Sequence, residues 1–466
     1  MTHSLETFQS STTGPGRGLP LENTPPLRRF YVETWGCQMN DLDSQRMTGL
    51  LMEQGILPTK AVQDADLILL NSCSVREKAA QKAYSRLGEY RLLKRDKPHL
   101  LIGFCGCVAQ QEGEKALRRV PDLDFVIGPG RVGELTSIVE QRRRQGRRVV
   151  ATGFPDARER NYEFDALARD GGYKGMVTII EGCDKKCTFC IVPSTRGPEQ
   201  SRPMDDILEE VQHLLDYGFV EIELLGQTVN HWKDPQTGDD FAILLDRVAR
   251  MPGVRRLRFV TSYPRDFTQE MVDQFAVHEN LSPYLHLPVQ SGSDRVLKLM
   301  GRGYQVEQYD DLVRRLRITR PDLALSTDLI VGFPGETEQD FQATLDLVSR
   351  TRYSQVYAFK YSPRPGTAAP RLRVPEVPPE ESDRRLQALF ALQGVIQHEL
   401  NQELEGRAYD ILVTQWGKKA GTQTGRTPCH RLIHFEYGDQ PLELGSLARV
   451  RVEKGLPHSL LGRLVA

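Results

Sequence analysis

Three thiols share one short run of this chain: Cys183, Cys187 and Cys190 in EGCDKKCTFC, spaced C-x3-C-x2-C. They are too close together for a disulfide framework. Three thiolates on one loop can instead hold three irons of a four-iron, four-sulfur cubane. The remaining iron then has no protein ligand in that loop and is open to a small molecule, which makes it a site for chemistry. Two plainer readings stand beside this one. A zinc knuckle wants a fourth Cys or His close by, and no His lies between Asp170 and Ser201. The other is a chance scatter of thiols.

The elements around the loop support a reactive placement. Strand-like stretches recur at 175–180, 220–225, 256–260, 284–287, 324–331 and 355–361, with helical patterns between them. Six βα units predict an open, partial (βα)6 TIM-like barrel. Its first strand delivers the cysteine loop at the carboxyl end, the catalytic face of such barrels.

Upstream the same alternation runs through strand-like 30–34, 67–71, 100–104 and 125–127, each followed by a helical pattern at 41–54, 76–95, 110–119 and 132–144. The first of these helices carries Leu42, Met47, Leu50 and Leu51 along one face and is closed by Gly55, a good residue just past a helix end. Alternation of this kind predicts a compact α/β domain with a parallel sheet. Cys37, Cys73 and Cys107 each fall just past the carboxyl end of one of the first three strands, and those ends share one edge, where ligands bind. Separated by 36 and 34 residues, they are expected to converge and hold a second cluster with a second open iron. Burial as core thiols is the plainer alternative. Cys105, two positions before Cys107, is assigned to the core, although alternate strand residues share a face.

Composition bounds the rest. A chain of 466 residues with 39% hydrophobic content suggests two to four packed domains. Its apolar runs, such as 67–70, fall far short of the roughly 20 residues that span a bilayer. Residues 1–27 are rich in Ser, Thr, Gly and Pro, with neither a basic nor an apolar signal-peptide region, and read as a disordered leader. A cytoplasmic protein follows, and eight Cys there are ligands or core residues rather than disulfides. The expected boundaries are a cluster domain at 28–146, a charged linker at 147–168, the barrel core at 169–400 and a terminal domain at 401–466. This last part carries strand-like runs at 408–413, 432–437, 448–452 and 460–465 without helices between them, a small all-β barrel. The net charge of the chain is −1, so any nucleic acid must meet a local patch. Between Arg407 and Phe435, Arg407, Lys418, Lys419, Arg426 and Arg431 face Asp410 alone, with Trp416, His430, His434 and Phe435 interleaved. Basic groups contact phosphate while aromatic faces stack bases; an incidentally charged, solvated surface is the alternative.

With both cysteine sets and the terminal barrel in place, the chain resembles the methylthiotransferases of the radical S-adenosylmethionine class, from residue 29 to its end. The resemblance is carried by WGCQMND, SCSVREKA, GCVAQQEG, GCDKKCTFCIVPSTRGPEQSRP, LLGQTVN, HLPVQSGSD, DLIVGFPGET, SPRPGT and TGRT. It implies an amino-terminal cluster domain, a radical core and a terminal TRAM barrel. It also implies two 4Fe-4S clusters, on Cys183, Cys187 and Cys190 and on Cys37, Cys73 and Cys107, with S-adenosylmethionine as cofactor. Cys105 and Cys429 lie outside the matched cysteines. The chemistry implied is sulfur insertion and methylation at C2 of an adenine, whose C–H bond needs an oxidant that only a cofactor supplies. The motifs match best the branch acting on N6-isopentenyladenosine at position 37 of the tRNA anticodon stem-loop. Relatives act on threonylcarbamoyladenosine or on an aspartate of a small-subunit ribosomal protein. A non-catalytic iron–sulfur sensor that binds RNA is the alternative from another class. An electron donor such as flavodoxin or ferredoxin is implied, no membrane, and a monomer.

Further candidates rest on position alone. Gln227 at the end of the second barrel strand, and Gln290 and Ser291 after the fourth, lie where polar groups could meet the cofactor. Gly332 after the fifth strand would allow close backbone approach. Phe189, inside the loop, packs by an adenine or shields the cluster. An ordinary turn or cap role remains the alternative for each. Arg196 and Arg202, beside the loop, could hold phosphates near the reacting base.

Overall fold

The structure, a computed structural model, describes residues 25–74, 79–155 and 172–465. The expected leader lies outside the described residues except for 25–27. The chain divides into two compact units, Met1–Ala168 with Thr195–Gly197, and Arg169–Ser194 with Pro198–Ala466.

The first unit is built on a six-stranded sheet: β1 (Arg29–Trp35), β2 (Leu57–Pro58), β3 (Leu67–Ser72), β4 (Leu101–Cys105), β5 (Phe125–Ile127) and β6 (Val149–Ala151). Its order is β2-β1-β3-β4-β5-β6, and every neighbouring pair is parallel. Successive side chains of a strand leave on opposite faces, so the sheet makes two cores. Ile68, Leu70, Ile102, Phe104 and Val126 bury one face. Leu67, Leu69, Leu101, Cys105, Phe125 and Ile127 bury the other. Cys105 is therefore a core thiol, and burial pushes its pKa up.

Two strands escape sequence reading. β2 is two residues long. β6 follows a run of arginines and is too short to show alternation, yet it pairs with β5. This carries the first sheet past residue 146 and into the stretch read as linker. The helical pattern at 110–119 proves to be two helices, Cys107–Glu112 and Glu114–Arg119, divided at Gly113, where φ is +48°.

In the second unit β7 (Lys174–Thr178), β8 (Ile180–Glu181), β9 (Gln200–Ser201), β10 (Glu221–Leu225), β11 (Arg256–Phe259), β12 (Tyr284–His286), β13 (Ala324–Val331) and β14 (Gln355–Lys360) follow in order. β8 and β9 form a small antiparallel pair. The other six are parallel, β7-β10-β11 and β12-β13-β14, and a bridge between Leu257 and Leu281 joins the two groups. This is the expected six-stranded open arc. Helices between the strands start at matched caps: Asp240 accepts the amides of Ala242 and Ile243, and Thr337 forms a capping box with Asp340.

After helix Pro379–Gln402 come β15 (Ala408–Trp416), β16 (Thr422–Arg426), β17 (Leu432–Glu436), β18 (Leu447–Gly455) and β19 (Leu460–Leu464), closed as β15-β16-β17-β19-β18. Alternate residues Ile411, Val413, Ile433, Phe435, Val450 and Val452 fill the barrel. β16, TQTGR, has no apolar alternation to betray it. The barrel is docked on the open arc. Arg256 donates to the carbonyls of Asp410 (3.3 Å) and Arg426 (3.2 Å), Ser282 to that of Pro428, and Asn401 of the long helix to that of Leu456 (2.6 Å). Beneath this interface lie buried ion pairs, Arg258 with Glu223 at 3.1 Å and Arg256 with Glu221 at 3.6 Å. No helix among the described residues is long and apolar enough to cross a membrane.

Candidate active site

The loop of Cys183, Cys187 and Cys190 leaves the end of β8 through Gly182, where φ is +76°. The Gly182 amide donates to the Gln227 carboxamide at 2.6 Å, so the end of β10 clamps the loop's entry. Its middle is tied to the turn after helix Asp294–Leu299. Thr188 donates its amide to the Met300 carbonyl and its hydroxyl to the Leu299 carbonyl, both at 2.9 Å, and accepts from Ala369 at 2.8 Å. The backbones approach so closely at Gly301 that a Cβ there would lie 2.8 Å from the Lys186 carbonyl oxygen. Phe189 meets Phe333 edge-on, centroids 6.4 Å apart, beside Val296 and Met300.

Cys183 is buried and the other two thiols are half-buried. Burial pushes Cys183 up to about 11 and Cys190 up to about 12, and the charge of Cys187 opposes ionisation of both. Such thiols give up their protons when a metal takes them as thiolates. No group of three or more His, Cys, Asp or Glu among the described residues is arranged about a single metal ion. A cubane takes one thiolate at each of three separate irons, and three thiols on a braced loop fit that demand.

In the first unit Cys37 precedes helix Gln38–Glu53, Cys73 follows β3, and Cys107 opens helix Cys107–Glu112. The parallel edge brings them together: the Cys73 thiol is hydrogen-bonded to both Cys37 and Cys107 and is pushed up by those two bonds and by burial. Its partners move the other way. Cys37 falls to about 6, through the Cys73 bond against burial, with the Arg196 charge helping, and Cys107 is lowered by the same causes. A buried asparagine pair frames the edge. Asn40 donates to the Asn71 carboxamide (2.9 Å), Asn71 returns to the Asn40 carbonyl (2.8 Å) and Ser44 (2.9 Å), and Asn40 lies 3.5 Å from the Cys37 sulfur. Gly106, φ +90°, presses against this pair, for a Cβ there would be 2.2 Å from Asn71 Oδ1. Three sulfurs gathered at one strand edge also suit a cubane.

The remaining candidates divide. Gln227 holds Gly182. Gln290, φ +77°, bridges to Leu329, and Ser291 accepts the Ser293 amide at 3.2 Å. At Gly332 the close approach is to helix Pro379–Gln402, where a Cβ would be 2.2 Å from Ser382 Oγ. Each thus has a backbone role. Arg196 is buried and paired with Asp43 at 2.7 Å, and Arg202 is buried between Glu210 and the Thr178 carbonyl. Neither guanidinium is presented to a phosphate, a correction to the expectation for both. Arg426 donates to the His430 carbonyl (3.0 Å) and Arg431 to Asn401, and both are half-buried. His430 lies on Tyr284 and Phe435 fills the barrel core.

What stays exposed is Arg407, Lys418, Lys419 and Trp416, the last 57% exposed and edge-on to Tyr437 at 6.4 Å. Lys419 is loosely paired with Glu436. Sequence reasoning missed Tyr437, the asparagine pair and Arg302, whose guanidinium reaches the Cys187 sulfur at 3.5 Å; no local pattern marks any of them.

Family models match all three parts: the uncharacterized protein family UPF0004 at residues 29–128, the radical SAM superfamily at 177–348 and the TRAM domain at 402–465. An iron–sulfur cluster and S-adenosylmethionine go with the second of these. Among solved structures, the radical S-adenosylmethionine methyltransferase TsrM from Kitasatospora setae, with cobalamin and a [4Fe-4S] cluster bound, has a TM-score of 0.52 at 14% identity, covering 85% of this chain and 77% of that one. The cobalamin-dependent radical enzyme OxsB has 0.51 at 14%, covering 80% and 56%; both likenesses concern the fold. Sequence relatives reach further. The tRNA-2-methylthio-N(6)-dimethylallyladenosine synthase of Paraburkholderia phymatum is 44% identical, covering 94% of this chain and 97% of its own. Those of Polynucleobacter asymbioticus and Cereibacter sphaeroides are 42% and 44% identical, covering 94% and 93% of this chain and 99% and 98% of theirs. Identity at this level, sustained over 93–94% of the chain, places it in the tRNA-2-methylthio-N(6)-dimethylallyladenosine synthase family.

Proposed function

We propose that this enzyme methylthiolates C2 of N6-isopentenyladenosine at position 37 of tRNA, and that it does so with two 4Fe-4S clusters. The observation that carries the reading is the presence of two separate three-cysteine sites in a chain 44% identical to such a synthase over 94% of its length. S-adenosylmethionine and an iron–sulfur cluster together supply the radical that activates an inert adenine C–H bond.

The chain's own residues hold and orient. Cys183, Cys187 and Cys190 offer three thiolates from a loop clamped by Gln227, Met300 and Ala369. Phe189, with Phe333 and Met300, walls the loop with apolar surface and keeps water from it. Cys37, Cys73 and Cys107 offer the second set. Gln290, Ser291 and Gly332 remain candidates for cofactor contact at the carboxyl ends of the barrel strands. On the terminal barrel, Lys418 and Lys419 contact phosphate and Trp416 with Tyr437 stacks on RNA bases. A cytoplasmic monomer, served by a flavodoxin- or ferredoxin-like donor, completes the proposal.

Mass spectrometry of tRNA nucleosides from a strain lacking this gene tests it. The 2-methylthio group should be absent, should return with the wild-type gene, and should not return with Cys187→Ala. A strain that keeps the modification overturns the reading.

A further inference from the structure

Arg302 lies between two glycines in the left-handed region, Gly301 (φ +70°) and Gly303 (φ +68°), in the turn linking helix Asp294–Leu299 to helix Val306–Thr319. Its side chain is only 5% exposed. Each guanidinium nitrogen has a partner: Nε donates to the Tyr304 hydroxyl (3.1 Å), Nη2 to the Pro288 carbonyl (2.7 Å) and Nη1 to the Cys187 sulfur (3.5 Å). The plane lies over the Tyr263 ring, 4.4 Å from its centroid, and near Tyr304 at 5.4 Å.

Among the described residues no carboxylate is within ion-pairing distance of Arg302, in contrast to Arg196, Arg202, Arg256, Arg258 and Arg385, each buried against an acid. Burying a cation without an anion is costly. A carbonyl, a phenol and two ring faces offset part of that cost, but none carries charge. Of its hydrogen-bond partners, Cys187 alone becomes an anion when it ligates a metal. The backbone bonds of Thr188 to Met300 and Leu299 already hold the loop in place, so the guanidinium is not needed for that. Its reach to Cys187 adds a fixed positive charge and a donor at one sulfur.

We propose that Arg302 is a positioning residue for the cluster on Cys183, Cys187 and Cys190: it orients the Cys187 thiolate and, by placing a buried cation beside it, makes that cluster easier to reduce. The inference rests on the reading that these three cysteines hold a cluster. Reduction adds negative charge to a group already surrounded by thiolates, and hydrogen bonds and charges at the sulfurs set such potentials. A guanidinium cannot lose its proton here, so the effect persists across the physiological pH range.

The test uses the full-length chain carrying Cys37→Ala, Cys73→Ala and Cys107→Ala, reconstituted anaerobically so that one cluster is observed. Iron is counted, and redox titration is followed by electron paramagnetic resonance of the reduced cluster. With Arg302→Gln the iron content should stay at the parent's value, while the ratio of reduced to oxidised cluster at a fixed potential falls about tenfold, a shift of about 59 mV for a one-electron couple. Arg302→Lys keeps the charge without the fork and should recover at least half of that shift. An unchanged titration in Arg302→Gln makes the residue purely structural and overturns the proposal. Should Arg302→Gln fail to fold, Arg302→Met, which keeps the apolar stem without the charge, takes its place: a parental titration overturns the proposal, and a lowered ratio supports it. A parent chain that takes up no iron defeats the underlying cluster reading instead, through a different measurement.

Discussion

His430 of the terminal barrel lies against Tyr284 at the start of β12, ring centroids 5.1 Å apart, with its backbone in the left-handed region at φ +66°. Burial, followed by the charges of Arg258, Arg426, Lys174 and Arg256, holds its pKa well below the ordinary 6.5. The imidazole is therefore neutral in the folded protein. Above pH 6.5 neither folded nor unfolded chain protonates it, and it costs nothing. As pH falls through 6.5 the unfolded chain gains a proton that the folded one refuses, so stability drops by up to about 1.4 kcal/mol per pH unit. His430→Asn, which tolerates the left-handed backbone, should flatten the loss of Tm between pH 7 and 5.5. Parallel curves for the two proteins would show that His430 does not control the docking. Glu223 acts in a lower window. Burial would raise its carboxyl, but Arg258 and Lys174 hold it below the usual range, so its contribution is present above the ordinary carboxylate pKa and is lost as pH falls through the lowered folded value.

Deleting residues from Gly406 onward should harm more than tRNA binding. The cut removes the carbonyls of Asp410 and Arg426 from Arg256 and uncovers the ion pairs of Glu221 and Glu223. We expect a lower Tm and reduced S-adenosylmethionine cleavage even without RNA. A truncated core with parental Tm contradicts this.

Point substitutions separate RNA binding from docking. Lys418→Ala with Lys419→Ala should lower the slope of log K against log salt by about 0.7–0.9 for each phosphate that a lysine no longer neutralises. Trp416→Ala should weaken tRNA binding by about 1–3 kcal/mol with the salt slope kept, as expected for a stacked base. Affinities equal to wild type at two salt concentrations would leave the basic face a solvated surface.

Reconstituted wild type should carry about eight irons and Cys37→Ala/Cys73→Ala/Cys107→Ala about four, as cubanes require. Cys105→Ala and Cys429→Ala should keep the full complement, since the first is a core thiol and the second bonds Thr427 at 3.2 Å. An unchanged count in the triple variant removes the second cluster.

Gly332→Ala should destabilise the core by about 1–3 kcal/mol, the usual cost of a side chain forced into positive φ, increased by the 2.2 Å approach to Ser382 Oγ. Chemical denaturation measures it. A denaturation midpoint equal to wild type would show that helix Pro379–Gln402 yields freely.

The local sequence was enough to reveal both cysteine sets, because a loop spacing of C-x3-C-x2-C and three strand ends in a parallel sheet are properties of short segments and their order. The six barrel strands were legible for the same reason: each is a short apolar or alternating segment set between helical patterns. β6 and β16 were not, since a strand of three residues and a strand written TQTGR exist only through their neighbours' hydrogen bonds. The arginines show the limit most clearly. Arg196, Arg202, Arg426 and Arg431 share the chemistry of Lys418 and Lys419 in sequence, and only tertiary packing decided that the four are buried or anchored while the lysines face water. Arg302 stands 115 residues from Cys187; the chain's path through the barrel, which no local pattern encodes, is what brings a cation to that sulfur.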